Sequence, residues 1–144
     1  MDDRNAAALS AGIPLYAAWL VAMAATLGAL FIGEVLGQMP CVLCWYQRIA
    51  MFPLALILGI ACLQGDSAVR TYALPLSITG GAIALWHSGL YFGLVPQRVA
   101  PCVKDGPSCT DAAMTIAGLP IPILSLVAFA AITLALALMK GSRT

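Results

Sequence analysis

Four apolar runs, at residues 14–35, 45–63, 72–95 and 121–139, make up most of this 144-residue chain, and each is long enough to cross a hydrocarbon core as a helix. Lipid offers the backbone no hydrogen-bond partner, so such runs satisfy their peptide groups internally. Charged residues make up only 9% of the chain, against roughly 25% in a soluble domain. Water is not its main solvent. The pattern predicts an all-α, integral membrane four-helix bundle, a single domain over 1–144 with outer loops at about 36–44 and 96–120. A net charge of +1 supplies no basic stripe, so nucleic acid is not an expected partner.

Local signals refine the bundle. The start Met1-Asp2-Asp3-Arg4 is not a basic leader and the first apolar run exceeds a leader's core, so it is expected to stay attached. Pro120 and Pro122 suit the first turn of the last helix, whereas Pro53 and Pro75 fall inside apolar runs and predict bends. Gly33 and Gly37 form a small-residue step suited to close helix approach. Trp45, Tyr46, Trp86 and Tyr91 fit the aromatic belts of a membrane interface.

Four spans put both termini on one side and the two outer loops on the other. Arg4, Arg70, Lys140 and Arg143 stand with the termini against Arg48, Arg98 and Lys104 opposite, a weak positive-inside bias. The cysteines add weight. Cys41 and Cys44 form a Cys-x-x-Cys pair in the first outer loop, and Cys102 and Cys109 a second pair in the other. Paired thiols persist as disulfides outside the cytosol, which places the termini in the cytoplasm and the loops on the extracytoplasmic face.

Two cysteine pairs on one face suit a relay. Thiol-disulfide exchange needs a thiolate attacker, an accessible target sulfur and a resolving cysteine. Cys44 stands at a helix start with Arg48 four positions on, so dipole and cation both favour its anion and predict an acidic, reactive thiol. Two static cross-links or a zinc site with four thiolate ligands are the alternatives. The wide spacing of the second pair, among Pro101, Gly106 and Pro107, weighs against zinc, and no resident metal is expected. Cys62 lies 18 positions after Cys44 on the same helix, about 27 Å along its axis, and reads as a small buried hydrophobe. Arg48 fits a headgroup anchor as well as a functional cation, and His87 fits an interhelical hydrogen bond as well as a site. Glu34 is compatible with a protonated, an interfacial or a paired state.

The run Cys41-Val42-Leu43-Cys44-Trp45-Tyr46-Gln47-Arg48 resembles the signature of the DsbB family of bacterial disulfide-generating membrane proteins. The likeness covers nearly the whole chain, and Pro40-Cys41 with the compact Pro101-Cys102 to Cys109 segment is similar to the short BdbC-like branch. The second outer loop is shorter than in longer members of the family.

The resemblance implies a DsbA-like partner, a soluble thioredoxin-fold thiol oxidase whose reduced cysteines attack the Cys102–Cys109 disulfide at Cys102. Electrons then pass to Cys41 and Cys44, through an interloop bond between Cys41 and Cys109, and Cys44 donates them to a membrane quinone, ubiquinone or menaquinone. Such an oxidase, membrane protein and quinone chain is what keeps the bacterial periplasm oxidising. The resemblance also implies a bacterial inner-membrane location and a role in protein folding. A quinone is apolar with two carbonyl acceptors, so its site belongs in the bilayer beside a donor or cation. Arg48 and His87 answer that need. A vitamin K epoxide reductase-like enzyme is the nearest alternative, but its active pair lies on a later helix. A metal-binding or structural membrane protein with static disulfides is the alternative outside enzymes.

Overall fold

A computed structural model of the chain describes residues 3–96, 109 and 115–139, with side chains from residue 12 onward. The first helix, α1 (Asp3–Leu30), ends in a π-helical turn, Phe31–Val35. Gly37, with φ +65°, then turns the chain, a backbone conformation that side chains with a Cβ rarely adopt. Helix α2 (Val42–Gln64) begins earlier than the 45–63 run suggested, with Cys41 in extended conformation as its N-cap. Cys44, expected in the outer loop, is therefore in the first helical turn. The reason is local: Pro40 enforces extended backbone just before it, and the helix starts as soon as that restraint ends.

At the far end of α2, Gly65 takes φ +65° and both its N–H and that of Asp66 bond to the Ala61 carbonyl, the left-handed cap that glycine favours. Asp66 Oδ1 accepts from the Ala68 N–H at 2.8 Å and starts a 3₁₀ turn, Ser67–Val69. That turn runs straight into α3 (Arg70–Tyr91). α3 stops short of the expected 95, where Gly93 takes φ +70°. A two-residue hairpin, β1 (Thr115–Ile116) paired antiparallel with β2 (Leu119–Pro120), leads into α4 (Ile121–Leu138). Ala117 and Gly118 both have positive φ, the requirement of a tight hairpin turn. This hairpin is the one described departure from the all-α expectation. Pro53 and Pro75, expected to bend the chain, lie inside unbroken helices.

The four helices form a ring, α1 packing on α2 and α4, and α3 on α2 and α4. Gly12–Val35, α2 and α4 are long and apolar enough to cross a membrane. α3 is as long but less apolar, because its buried face carries Ser77, His87 and Ser88. Large apolar residues point outward instead: Leu63 is 90% exposed and Leu85 62%. A soluble protein would lose stability by exposing such a surface, whereas a lipid solvent accepts it.

Inside, small residues and hydrogen bonds hold the helices together. Ser77 Oγ pairs with Thr133 Oγ1 at 2.8 Å, and Arg70 Nε donates to the Leu136 carbonyl at 3.0 Å. Gly33 and Gly37, expected to bring helices together, do other work: Gly33 faces the Arg48 guanidinium and Gly37 turns the chain. Among the described glycines the tightest approach is at Gly80, where a Cβ would overlap the Phe129 ring of α4. Gly80→Ala is therefore expected to destabilise the bundle by about 1–3 kcal/mol. Gly81→Ala, whose Cβ would meet Phe129 Cβ at an ordinary 3.5 Å, should be near neutral. Denaturation of the two variants in mixed micelles checks this, and equal stabilities would contradict the packing at Gly80.

Candidate functional site

The N-terminus of α2 is where the chemistry gathers. Cys41 caps the helix and Cys44 sits on its first turn, a three-residue spacing that puts both sulfurs on one face. Both are free thiols, and Cys41 Sγ donates to Cys44 Sγ at 3.2 Å. Cys109, from the second connection, lies in the same apolar cluster with Cys41, Cys44, Leu43 and Leu90. The backbone N–H groups of Val42 and Leu43 at the start of α2 favour its anion, two of the donors that a helix start leaves unpaired. Cys109 thus lies at the end of the bundle where α2 begins. Cys102, expected as the entry point, lies outside the described residues.

Burial and mutual contact set the proton affinities of the loop thiols. The hydrogen bond with Cys109 lowers that of Cys41, but the contact with Cys44 and burial outweigh it and push Cys41 up to about 11. Cys109 is raised as well, first by its hydrogen bond to Cys41 and then by burial, with the α2 N–H groups opposing. Across neutral pH both therefore keep their protons, and the chain of S–H donors runs toward Cys44. Cys41 and Cys44 stand in different settings, the first capping α2 and the second within its first turn.

His87, fully buried on α3, enters from the side. Its Nε2 is 3.8 Å from Cys41 Sγ, and its Nδ1 is 3.0 Å from the side-chain amide of Gln47. The backbone of Cys109 also touches the ring. Gln47 escaped the sequence reading, although a buried amide one turn after Cys44 in a membrane helix is costly without a partner and was a visible signal.

A cavity of about 510 Å³ opens on the other side of Cys44, between α1, α2 and α4. Its body is apolar, with Val21, Met51, Phe52, Leu124 and Phe129, and Cys44, Gln47 and Arg48 are among its few polar lining residues. His87 is not in its lining and stands beside the sulfur cluster. Arg48 is in the lining, but its hydrogen bond, 2.8 Å, goes to the Ala29 carbonyl just before the π turn. Its guanidinium also lies 5.6 Å over the Trp45 ring and against Gly33, where a Cβ would come within 3.1 Å. A π turn widens the helix and loosens its carbonyl ladder, which suits a carbonyl drawn toward an arginine. Glu34 is exposed on that turn. Cys62 stands at the opposite end of α2, away from both groups.

Known proteins resemble this chain over most of its length. The family model described as "Disulfide bond formation protein DsbB" matches residues 13–139. A "Probable disulfide formation protein" of Metapseudomonas resinovorans is 54% identical over 127 residues, covering 88% of each chain. "Disulfide bond formation protein C" of Bacillus subtilis (strain 168) is 42% identical, over 90% of this chain and 94% of the relative. A "Probable disulfide formation protein" of Deinococcus radiodurans is 43% identical over 82% of each. No solved structure matches the chain.

Proposed function

This chain belongs to the DsbB family of membrane disulfide bond formation proteins, and from that premise we propose that it reoxidises a soluble thioredoxin-fold thiol oxidase and delivers the electrons to membrane quinone. The supporting observation is the double position of Cys44. It touches Cys41 within the sulfur cluster and also lines the apolar cavity. One sulfur thereby borders both a dithiol that receives electrons and a lipid-facing chamber that accepts them.

The steps balance by two electrons. The reduced partner's thiolate attacks the Cys102–Cys109 disulfide, and its second cysteine resolves the mixed disulfide, leaving two thiols on this chain. One of these, Cys109, attacks Cys41 in the Cys41–Cys44 disulfide and releases Cys44 as the thiolate. Cys102 then resolves the Cys41–Cys109 bond, and Cys41 and Cys44 stand reduced. A disulfide sulfur is displaced along its S–S axis by a thiolate, and Cys109 and Cys41, with donor atoms within 4.8 Å, are close enough to exchange.

The chamber has the shape and chemistry of a quinone site: an apolar body with Gln47 and Arg48 at the end where Cys44 stands. A quinone bound there supplies an acceptor of two electrons and two protons. Cys44 presents its thiolate, which the helix N-terminus favours. Arg48 places a fixed cation where a reduced oxygen would carry charge. His87, held by Gln47, faces Cys41 and is placed to take up or return the proton of that thiol. The cysteine loops face the extracytoplasmic side and the termini the cytoplasm.

The test mixes the purified full chain with a reduced thioredoxin-fold oxidase and follows quinone absorbance. We expect catalytic quinone loss, one quinone per disulfide formed, and an unchanged rate in Cys62→Ala. Stable quinone absorbance with the partner left reduced would reject the proposal.

A further inference from the structure

The sulfur cluster gathers more donors than a single exchange step uses. Cys41 Sγ, Cys109 Sγ and a ring nitrogen of His87 lie within 4.8 Å of one another, and all three residues are buried. Cys44 Sγ is 3.2 Å from Cys41 Sγ but stands outside that group, so the fourth position falls to it after a side-chain shift or to water. In a tetrahedral zinc centre neighbouring sulfur and nitrogen donors stand about 3.5–3.8 Å apart. The 3.8 Å between Cys41 Sγ and His87 Nε2 matches that spacing.

The surroundings also suit a metal. An imidazole that ligates through Nε2 needs its Nδ1–H held by an acceptor. The Gln47 amide lies 3.0 Å from Nδ1, and a half-turn of that amide presents its oxygen. Charge is balanced too, since two thiolates and a neutral imidazole neutralise a divalent cation, which a buried site requires. Arg48, sharing the cavity with Cys44, offsets a third thiolate. The sequence reading missed this group because His87 sits 46 positions from Cys41.

We propose that the reduced cluster is a binding site for a thiophilic divalent cation such as zinc, held by Cys41, Cys109 and His87 with the fourth position left to Cys44 or water, and that occupancy halts the relay. Only reduced protein forms the site, because a sulfur in a disulfide no longer offers a thiolate. Ligation in turn occupies the lone pairs that would attack a disulfide or the acceptor. The metal is thus a competing state of the cluster and not a resident cofactor. The inhibition, though not the site, rests on the exchange reading above.

The experiment titrates the full chain in detergent, reduced with a phosphine and freed of excess reductant, with Co²⁺. We expect the intense visible bands of tetrahedral thiolate-bound cobalt, saturating at one equivalent and bleached by Zn²⁺. They should be absent from oxidised wild type, whose sulfurs are tied up in disulfides. Cys109→Ser should abolish them and His87→Ala should weaken binding by at least about tenfold, while Cys62→Ala leaves them unchanged. No bands in reduced wild type, or equal bands in the oxidised protein or in Cys109→Ser, would overturn the site. One equivalent of Zn²⁺ should also slow electron transfer from pre-reduced protein to quinone, with no partner present, by at least about tenfold, reversed by a chelator. Undiminished transfer by the zinc-loaded protein would overturn the inhibition. Cobalt binding without any quinone reduction by metal-free protein would uphold the site and reject the proposed function instead.

Discussion

Cys44→Ser is expected to lower quinone reduction by at least about a thousandfold, about 4 kcal/mol of barrier. A serine hydroxyl neither ionises near neutral pH nor closes a disulfide, so the thiol bordering both cluster and chamber ceases to pass electrons. The partner's dithiol should still be able to attack the second cysteine pair, because that step does not involve Cys44. Electrons entering the chain would then have no outlet, and the protein should accumulate with Cys102 and Cys109 reduced. Quinone absorbance gives the rate, and non-reducing gels after acid trapping give the stranded species. A Cys44→Ser protein that turns over quinone at the wild-type rate would remove this sulfur from the path.

Arg48→Ala should lower quinone use by about 10²- to 10³-fold, the usual cost of removing one preorganised group that stabilises developing negative charge. Two effects combine in that loss. The cation leaves the polar end of the cavity, and the Ala29 carbonyl beside the π turn loses its 2.8 Å hydrogen bond. Arg48→Lys separates them, since an ammonium restores charge but lacks the planar fork that reaches a carbonyl and a chamber together. It should recover only part of the activity. Thiol exchange with the partner should continue at its normal rate in both variants, measured in a single turnover without quinone. Normal quinone kinetics in Arg48→Ala would leave the arginine with the anchoring role alone.

The fold was largely legible because membrane helices are written locally. Twenty or so apolar residues in a row settle the helical state, whatever the rest of the chain does. Helix ends were less legible, since they depend on single residues: Pro40 lets α2 begin at Val42 and carries Cys44 into the helix. The third helix shows the limit of hydropathy. Ser77, His87 and Ser88 reduce its apolar character for the same reason that it packs, because they face its neighbours.

The sequence by itself determined the largely apolar helical chain, the Cys-x-x-Cys at a helix start and the existence of a second cysteine pair, all of which depend on residues near one another along the backbone. Only the tertiary structure decided that Cys109 meets the first turn of α2, that Gln47 holds His87 beside Cys41 and outside the cavity, and that Arg48 binds α1 near its π turn. Helical periodicity reports which residues share a face within about one turn. It carries no information on which face of one helix meets which face of another. That choice falls to the packing of small residues such as Gly80 against Phe129 and to the need of every buried polar group for a partner.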